Sequence, residues 1–229
     1  MELKFQNVSK EFELLLALDG LSFSAQNRDI VGILGPNGAG KTTLIKLAAH
    51  LSKPATGEIS VDGIPIGKVD RAKFGLISPN SFLYSDLTVA ENLSLYSRLY
   101  GKNEYWRECA DYFNLEENLN KLVRNLSHGQ KQRAALARVM ITDPEILLLD
   151  EPFLGLDDQA TKELINLILK LRDQERLILI ATHNFEIASK IINKLMILDH
   201  GKLIHYDQFD NTMGPLHNYY NGLLERSAG

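Results

Sequence analysis

The eight residues Gly35-Pro36-Asn37-Gly38-Ala39-Gly40-Lys41-Thr42 constrain this 229-residue chain more than any other stretch. They fit the spacing G-x-x-x-x-G-K-[ST] of a phosphate-binding loop. An apolar run, Ile30-Val31-Gly32-Ile33-Leu34, precedes them, and a helical pattern follows from Leu44 to Leu51. Glycines let the backbone curl until successive N–H groups point at a polyphosphate. The helix adds its positive end to the same anion. Lys41 supplies a point charge for the β- and γ-phosphates, and Thr42 offers a hydroxyl to Mg²⁺. Gly35 to Thr42, with Thr43 behind them, are the candidate nucleotide-binding residues.

Strand-like and helical stretches alternate along the rest of the chain. Strands are expected at 3–8, 14–24, 30–34, 58–61, 74–77, 146–149, 177–181, 194–199 and 202–206. Asp19-Gly20 and His200-Gly201 read as hairpin turns. Residues 146–149 and 177–181 are continuously apolar, as in strands covered on both faces. Between 81 and 140 the strand signals stop, and helical patterns follow at 89–100, 104–113 and 128–140. The expected fold is α/β: a phosphate-loop NTPase core with a mixed sheet, an antiparallel β portion and an inserted α-helical subdomain. One domain would span 1–229, with its core at about 1–80 and 141–210 and the insertion at about 81–140. After Gly214-Pro215 a short helix is expected at about 215–225, where Leu216, Tyr219, Tyr220, Leu223 and Leu224 share helical spacing.

Composition excludes several classes. Apolar content of 45% and charged content of 24% suit a soluble globular protein. A net charge of −4 argues against broad nucleic-acid binding. The single Cys109 leaves no intrachain disulfide and fits a reducing compartment. No secretory leader opens the chain, and no apolar run approaches the ~18 residues of a membrane helix. Any membrane role is therefore expected through a partner.

A second constellation ends a strand. Ile146-Leu147-Leu148-Leu149 runs into Asp150-Glu151-Pro152. Two carboxylates beside such a strand are costly to bury without a cation. Their place is the carboxyl edge of the sheet, where nucleotides bind in open α/β folds. Alternation turns the two side chains to different neighbours. Asp150 can then enter a Mg²⁺ shell while Glu151 faces a water in line with the γ-phosphate; a solvated acidic pair is the alternative. His183 follows another buried strand and would reach the same edge, where it can hydrogen-bond a γ-phosphate oxygen or act structurally. A third constellation, Leu126-Ser127-His128-Gly129-Gln130, holds a capping box, Ser127 with Gln130, opening a helix. Such a start also presents free N–H groups to an anion.

In their order along the chain these motifs resemble the ATP-binding subunits of ABC transporters, over roughly the first nine-tenths of it. Gly35 to Thr42 matches the Walker A motif, and Leu147 to Glu151 matches Walker B with its catalytic glutamate. Leu126 to Gln130 matches the signature usually written LSGGQ, Gly155-Leu156-Asp157 the D-loop, and His183 the switch histidine. Phe12 stands near the aromatic that stacks on adenine in the family, although an ordinary core aromatic fits the position too. The resemblance implies an ATPase binding ATP and Mg²⁺, with Thr42 and Asp150 as metal ligands and Glu151 and His183 as catalytic residues. It implies a second ATP-binding subunit, as a head-to-tail homodimer. Ser127, Gly129, Gln130 and Asp157 would meet the nucleotide held by the partner. It further implies a multi-pass membrane permease and a place on the cytoplasmic face of the membrane, with no nucleic acid.

The match departs at two points. The family's glutamine after strand 74–77 falls on Pro79, with Asn80 next, and proline can neither ligate nor donate. His128 stands where the signature usually has glycine. Glu91-Asn92-Leu93, Tyr96 and Leu99-Tyr100-Gly101 look like exporter-type subunits. Phe82, Tyr84, Tyr96 and Tyr100 are candidate contacts for the membrane partner. Two other readings compete: a non-transport ABC ATPase acting on DNA or ribosomes, and a small-metabolite kinase. The first usually adds coiled coils, zinc modules or a second core; the second leaves residues 126–130 unexplained.

Overall fold

The computed structural model describes residues 1–13, 15–210 and 215–227, with side chains described as far as residue 223. In chain order the strands are β1 (Glu2–Phe12), β2 (Leu15–Gln26), β3 (Ile30–Leu34), β4 (Thr56–Val61), β5 (Ile64–Pro65), β6 (Phe74–Ile77), β7 (Ile146–Asp150), β8 (Leu177–Ala181), β9 (Lys194–Asp199) and β10 (Lys202–Gln208). The helices are α1 (Lys41–Ala48), α2 (Val89–Leu99), α3 (Trp106–Tyr112), α4 (His128–Met140), α5 (Asp158–Asp173), α6 (Phe185–Ile191) and α7 (Leu216–Ser227).

The continuously apolar runs form the centre of a six-stranded sheet, in the order β10-β9-β3-β8-β7-β6. Every residue of β3, β7 and β8 is buried. Their pairings with each other and with β6 and β9 are parallel, and only β10 runs antiparallel. Strands covered on both faces have no use for alternation, which is why they read as unbroken apolar runs. A second, antiparallel sheet has the order β2-β1-β4-β5. Between the sheets lies α1, whose Leu44, Ile45 and Leu47 pack with Phe5 and Leu21 on one side and Val31, Ile146 and Leu179 on the other. The other face of the large sheet carries α2 to α7.

In residues 81–140, Thr88 and Glu91 close a capping box on α2, and Ser127 and Gln130 close one on α4. Trp106, Cys109 and Ala110 of α3 join the alanine face of α4 in the core. Burial pushes the Cys109 thiol up to about 12, so it sits there as an apolar group. Phe185 of α6 packs edge-on against His217 and Tyr220 of α7, at 5.2 and 4.8 Å between ring centres. Among the described residues no helix is long and apolar enough to cross a membrane.

Asp19-Gly20 is not a hairpin turn. β1 ends at Phe12, which pairs with Leu15 of β2, so the strands connect there and not at 19–20. Asp19 and Gly20 sit inside β2, as two residues opposite the single Ser9 between the pairs Val8–Leu21 and Lys10–Leu18. That is a β-bulge: Gly20 takes φ 61 and its N–H donates to Ser9 Oγ at 2.9 Å. The same glycine chemistry serves turns and bulges, so the dipeptide alone does not separate them. His200-Gly201 does join β9 to β10, with φ 45 and 79, as a two-residue hairpin loop requires. Helices α5 and α6 are additional to the helices expected from sequence. Leu14 and Gly214, which figured in those expectations, lie outside the described residues, as does the side chain of Leu224.

Candidate functional site

The loop between β3 and α1 begins at Gly35 and delivers Lys41, Thr42 and Thr43 as the first turn of α1. Its N-cap, Gly40, sits at φ 104, and a Cβ there would meet the Ala17 carbonyl and Leu18 side chain at 2.6 Å. Only glycine fits both the dihedral and the space. No side chain caps α1 and no acid stands in its first turn, so the N–H groups of that turn face outward, toward any anion the loop encloses. The turn after β9 buttresses the loop, with Gly201 N–H donating to the Ala39 carbonyl at 3.2 Å.

Lys41 is only 9% exposed, and its Nζ donates to the carbonyls of Gly35 and Pro36 at 2.7 and 3.0 Å. Burial pushes its pKa down, against the pull of Glu151 and Asp150. Thr42 Oγ1 donates to Asp150 Oδ2 at 2.9 Å, which ties the loop to the end of β7. Asp150 is 6% exposed, and burial raises its pKa; the Glu151 charge adds to that, while the Thr42 hydroxyl and Lys46 and Lys41 oppose it. Two hard oxygen donors held together beside a lysine fit a small divalent cation that takes its other ligands from phosphate and water.

Glu151 leaves the strand at φ 50, a value that side chains other than glycine seldom adopt. Its N–H still donates to the Ala181 carbonyl of β8, at 2.8 Å. That kink turns its carboxylate to His183, where Oε2 lies 3.0 Å from Nδ1. Thr182, buried beside it, accepts the Asn184 N–H and so sets the direction of this short turn. Strain of this kind gathers at functional sites.

Ser127, Gly129, Gln130 and Asp157 gather elsewhere, in a groove of about 610 Å³ whose lining includes no phosphate-loop residue. Ser127 Oγ accepts from Gln130 N–H at 3.2 Å, and Gln130 Oε1 accepts from Ser127 N–H at 3.0 Å. Asp157 caps α5, accepting Ala160 N–H at 2.8 Å. A Cβ at Gly129 would stand 2.9 Å from the Ala160 Cβ, so glycine permits α4 to start against α5. The His128 ring packs over Gly155, 3.4 Å from where its Cβ would be.

Phe12 is 47% exposed at the tip of the β1–β2 hairpin, with Lys10 Nζ 4.9 Å from its ring centre. It is not a core aromatic. Pro79 and Asn80 are exposed after β6, and the Asn80 carbonyl accepts from Ser78 Oγ at 2.8 Å. Arg138 of α4, which sequence reasoning passed over, donates from Nη2 to the Leu76 carbonyl on β6 at 3.1 Å. A lone arginine in a helix gives no sequence signal of a partner 62 residues away.

A family model described as "ABC transporter" matches residues 18–154. The chain is 36% identical over 208 residues to the Nod factor export ATP-binding protein I of Burkholderia lata, covering 87% of this chain and 68% of that one. It is also 36% identical over 208 residues to the SkfA peptide export ATP-binding protein SkfE of Bacillus subtilis, covering 88% and 87%. Among solved structures, an ATP binding subunit of an ABC transporter superposes with a TM-score of 0.87 at 27% identity, over 98% of this chain and 100% of that one. A dimeric bacterial ABC transporter cassette superposes at 0.81 with 26% identity, over 90% and 98%. The same cassette is known in a post-hydrolysis state bound to ADP and Pi. This chain belongs to the ABC transporter family, as one of its ATP-binding, ATP-hydrolysing cassettes.

Proposed function

We propose that the chain is the motor subunit of an export system: two copies close on ATP at the cytoplasmic face of a membrane and drive a multi-pass permease. The observation that supports this most is the convergence of Lys41, Thr42, Asp150, Glu151 and His183 at one sheet edge, with the Ser127 group in a separate groove. A nucleotide held by the first group needs a second subunit to bring the other group to it. Relatives named for Nod factor export and peptide export support the direction. As a division of labour, residues 1–80 and 141–210 form the nucleotide-binding core, and 81–140 carry the Ser127 group and meet the permease. Phe82, Tyr84 and Tyr100 expose half or more of their surface there.

Backbone N–H groups of residues 37–43 and Lys41 hold the phosphates, and the exposed Phe12 ring offers adenine a face. Thr42 and Asp150 would hold Mg²⁺, which would supply charge neutralisation to the phosphates. Glu151 orients the attacking water in line with the γ-phosphorus, and His183, paired to Glu151, steadies a γ-oxygen. Ser127 and Gly129 of the second copy close over the same phosphate, with Gln130 and Asp157 setting the helix starts that present them. Water adds to the γ-phosphoryl group, the bond to the ADP oxygen breaks, and phosphate leaves. Catalysis is then positioning and charge stabilisation.

Glu151→Gln tests this. It should bind ATP normally, lower turnover by about 10²–10³-fold, and sediment as a dimer with saturating Mg-ATP. Recovered from detergent-solubilised native membranes with ATP, it should bring a multi-pass membrane protein in stoichiometric amount. A monomer in sedimentation would count against the dimer that closes on ATP, and a ribosomal or DNA-bound partner against transport.

A further inference from the structure

Residues 78–82 leave the edge strand β6 beside the acid pair. The pairing of β6 with β7 runs as far as Ile77–Leu149, so the segment leaves the sheet next to the strand that ends in Asp150. Pro79 has no side-chain donor to offer there, yet the segment's far end is held firmly. Arg138, about three turns along α4 from the Ser127 cap, donates to the Leu76 carbonyl at 3.1 Å. Its guanidinium carbon lies 5.7 Å from the ring centre of Phe82 and 5.2 Å from that of Tyr96, within cation–π range of both. The Tyr96 hydroxyl donates to the Phe82 carbonyl at 2.6 Å.

Two features say that this cluster does more than fill space. Phe82 is held at φ 54, which a bulky aromatic avoids, while the residue remains 50% exposed. Burial of apolar surface does not account for a strained backbone at a half-exposed residue. Arg138 Nε is sealed from solvent and has no hydrogen-bond partner. Burial lowers the arginine's pKa, a cost that Tyr96 and Tyr100 only partly offset. Arginine is suited to such a place because its planar group can stack and donate at once.

We propose that Arg138 is a positioning residue for ATP hydrolysis: through Leu76, Phe82 and Tyr96 it locks the segment beside Glu151 to the signature helix α4. The lock takes the place of a side-chain ligand at Pro79. It rests on the proposed reading that Glu151 and the Ser127 end of α4 serve ATP, and makes the segment and that helix move as one body. Nucleotide affinity lies with the loop, so the lock should govern turnover and leave ATP binding alone.

The test is steady-state Mg-ATP hydrolysis by the full chain, with melting temperature measured alongside, for Phe82→Leu, Arg138→Lys and the double variant. Phe82→Leu removes the stack at a half-exposed position and should fold as well as the parent. Its kcat should fall on the order of tenfold with KM for ATP within about twofold, as remote misplacement does. Arg138→Lys keeps the charge but loses the fork and should behave alike. The double variant should be no slower than the worse single, because both break one unit. Parental kcat in Phe82→Leu, a rise in KM alone, or rate losses that multiply in the double would each overturn the lock. Glu151→Gln run in parallel separates the two readings: if it too turns over like the parent, the assignment of the site has failed and not merely the lock.

Discussion

Residues 35–42 and residues 78–82 both leave the carboxyl edge of the same sheet, one after β3 and the other after β6. The first segment is shaped from within. Gly40 has a dihedral and a contact that only glycine tolerates, and Lys41 turns back on the carbonyls of its own loop. The second is shaped from outside, by an arginine and a tyrosine on two helices that grip Phe82 and Leu76. Chemistry done by backbone amides and one adjacent lysine must be written locally, because the backbone path is the ligand. Chemistry done by holding a segment in place can be written anywhere that folds against it.

Lys41→Ala strikes the locally written segment and should have the largest effect. Removing a charge-assisted donor to phosphate should weaken ATP by about 100-fold, read by calorimetry. Unchanged affinity would mean that the loop amides suffice and that the comparison is drawn too sharply.

Much of this was legible beforehand, for the same reason. The loop motif, the buried runs of β3, β7 and β8 and the Ser127–Gln130 box are local patterns, and each lies where its pattern predicts. Helix α5 also left a signal, with Asp157 as cap and Leu164, Ile168 and Leu171 at helical spacing. What sequence could not give was adjacency. The Glu151–His183 contact exists because β7 and β8 are neighbours. The grip of Arg138 exists because α4 crosses β6. The exposure of Phe12 depends on where the hairpin turns, which the bulge at Asp19-Gly20 concealed.

Asp150→Asn should lower Mg-ATP hydrolysis by about 100-fold if the carboxylate is a metal ligand. In the nucleotide-free chain the same change should raise the melting temperature. Burial raises the Asp150 pKa, so the folded state holds the proton more tightly than the unfolded one. Stability is therefore lost as pH rises from the ordinary carboxylate range through the raised value. The advantage of asparagine should be full above that window and vanish below it; melts across about pH 3 to 8 read this directly. An equal advantage at every pH would assign the gain to packing instead of charge.

Phe12→Ala should cost about 1–3 kcal/mol of ATP affinity, the worth of one aromatic platform under a base. Triphosphate alone should bind the variant as it binds the parent. A loss shared by triphosphate would move Phe12 from base stacking to support of the loop.

Pro79→Gln should do least, and that is its use. The position is exposed, so the fold should lose no more than the ~0.4–1 kcal/mol that a proline contributes by restricting the unfolded chain. If the segment is positioned by Arg138, a glutamine at position 79 adds a group that the site already works without, and kcat should change by less than about threefold. A rise nearer tenfold would show that the site profits from a side chain there and that the grip on Phe82 substitutes for it incompletely. The combination with Phe82→Leu then decides between them. A glutamine that restores turnover to a loosened segment would make the two devices alternatives for one task, one written at position 79 and the other across the interface between β6 and α4.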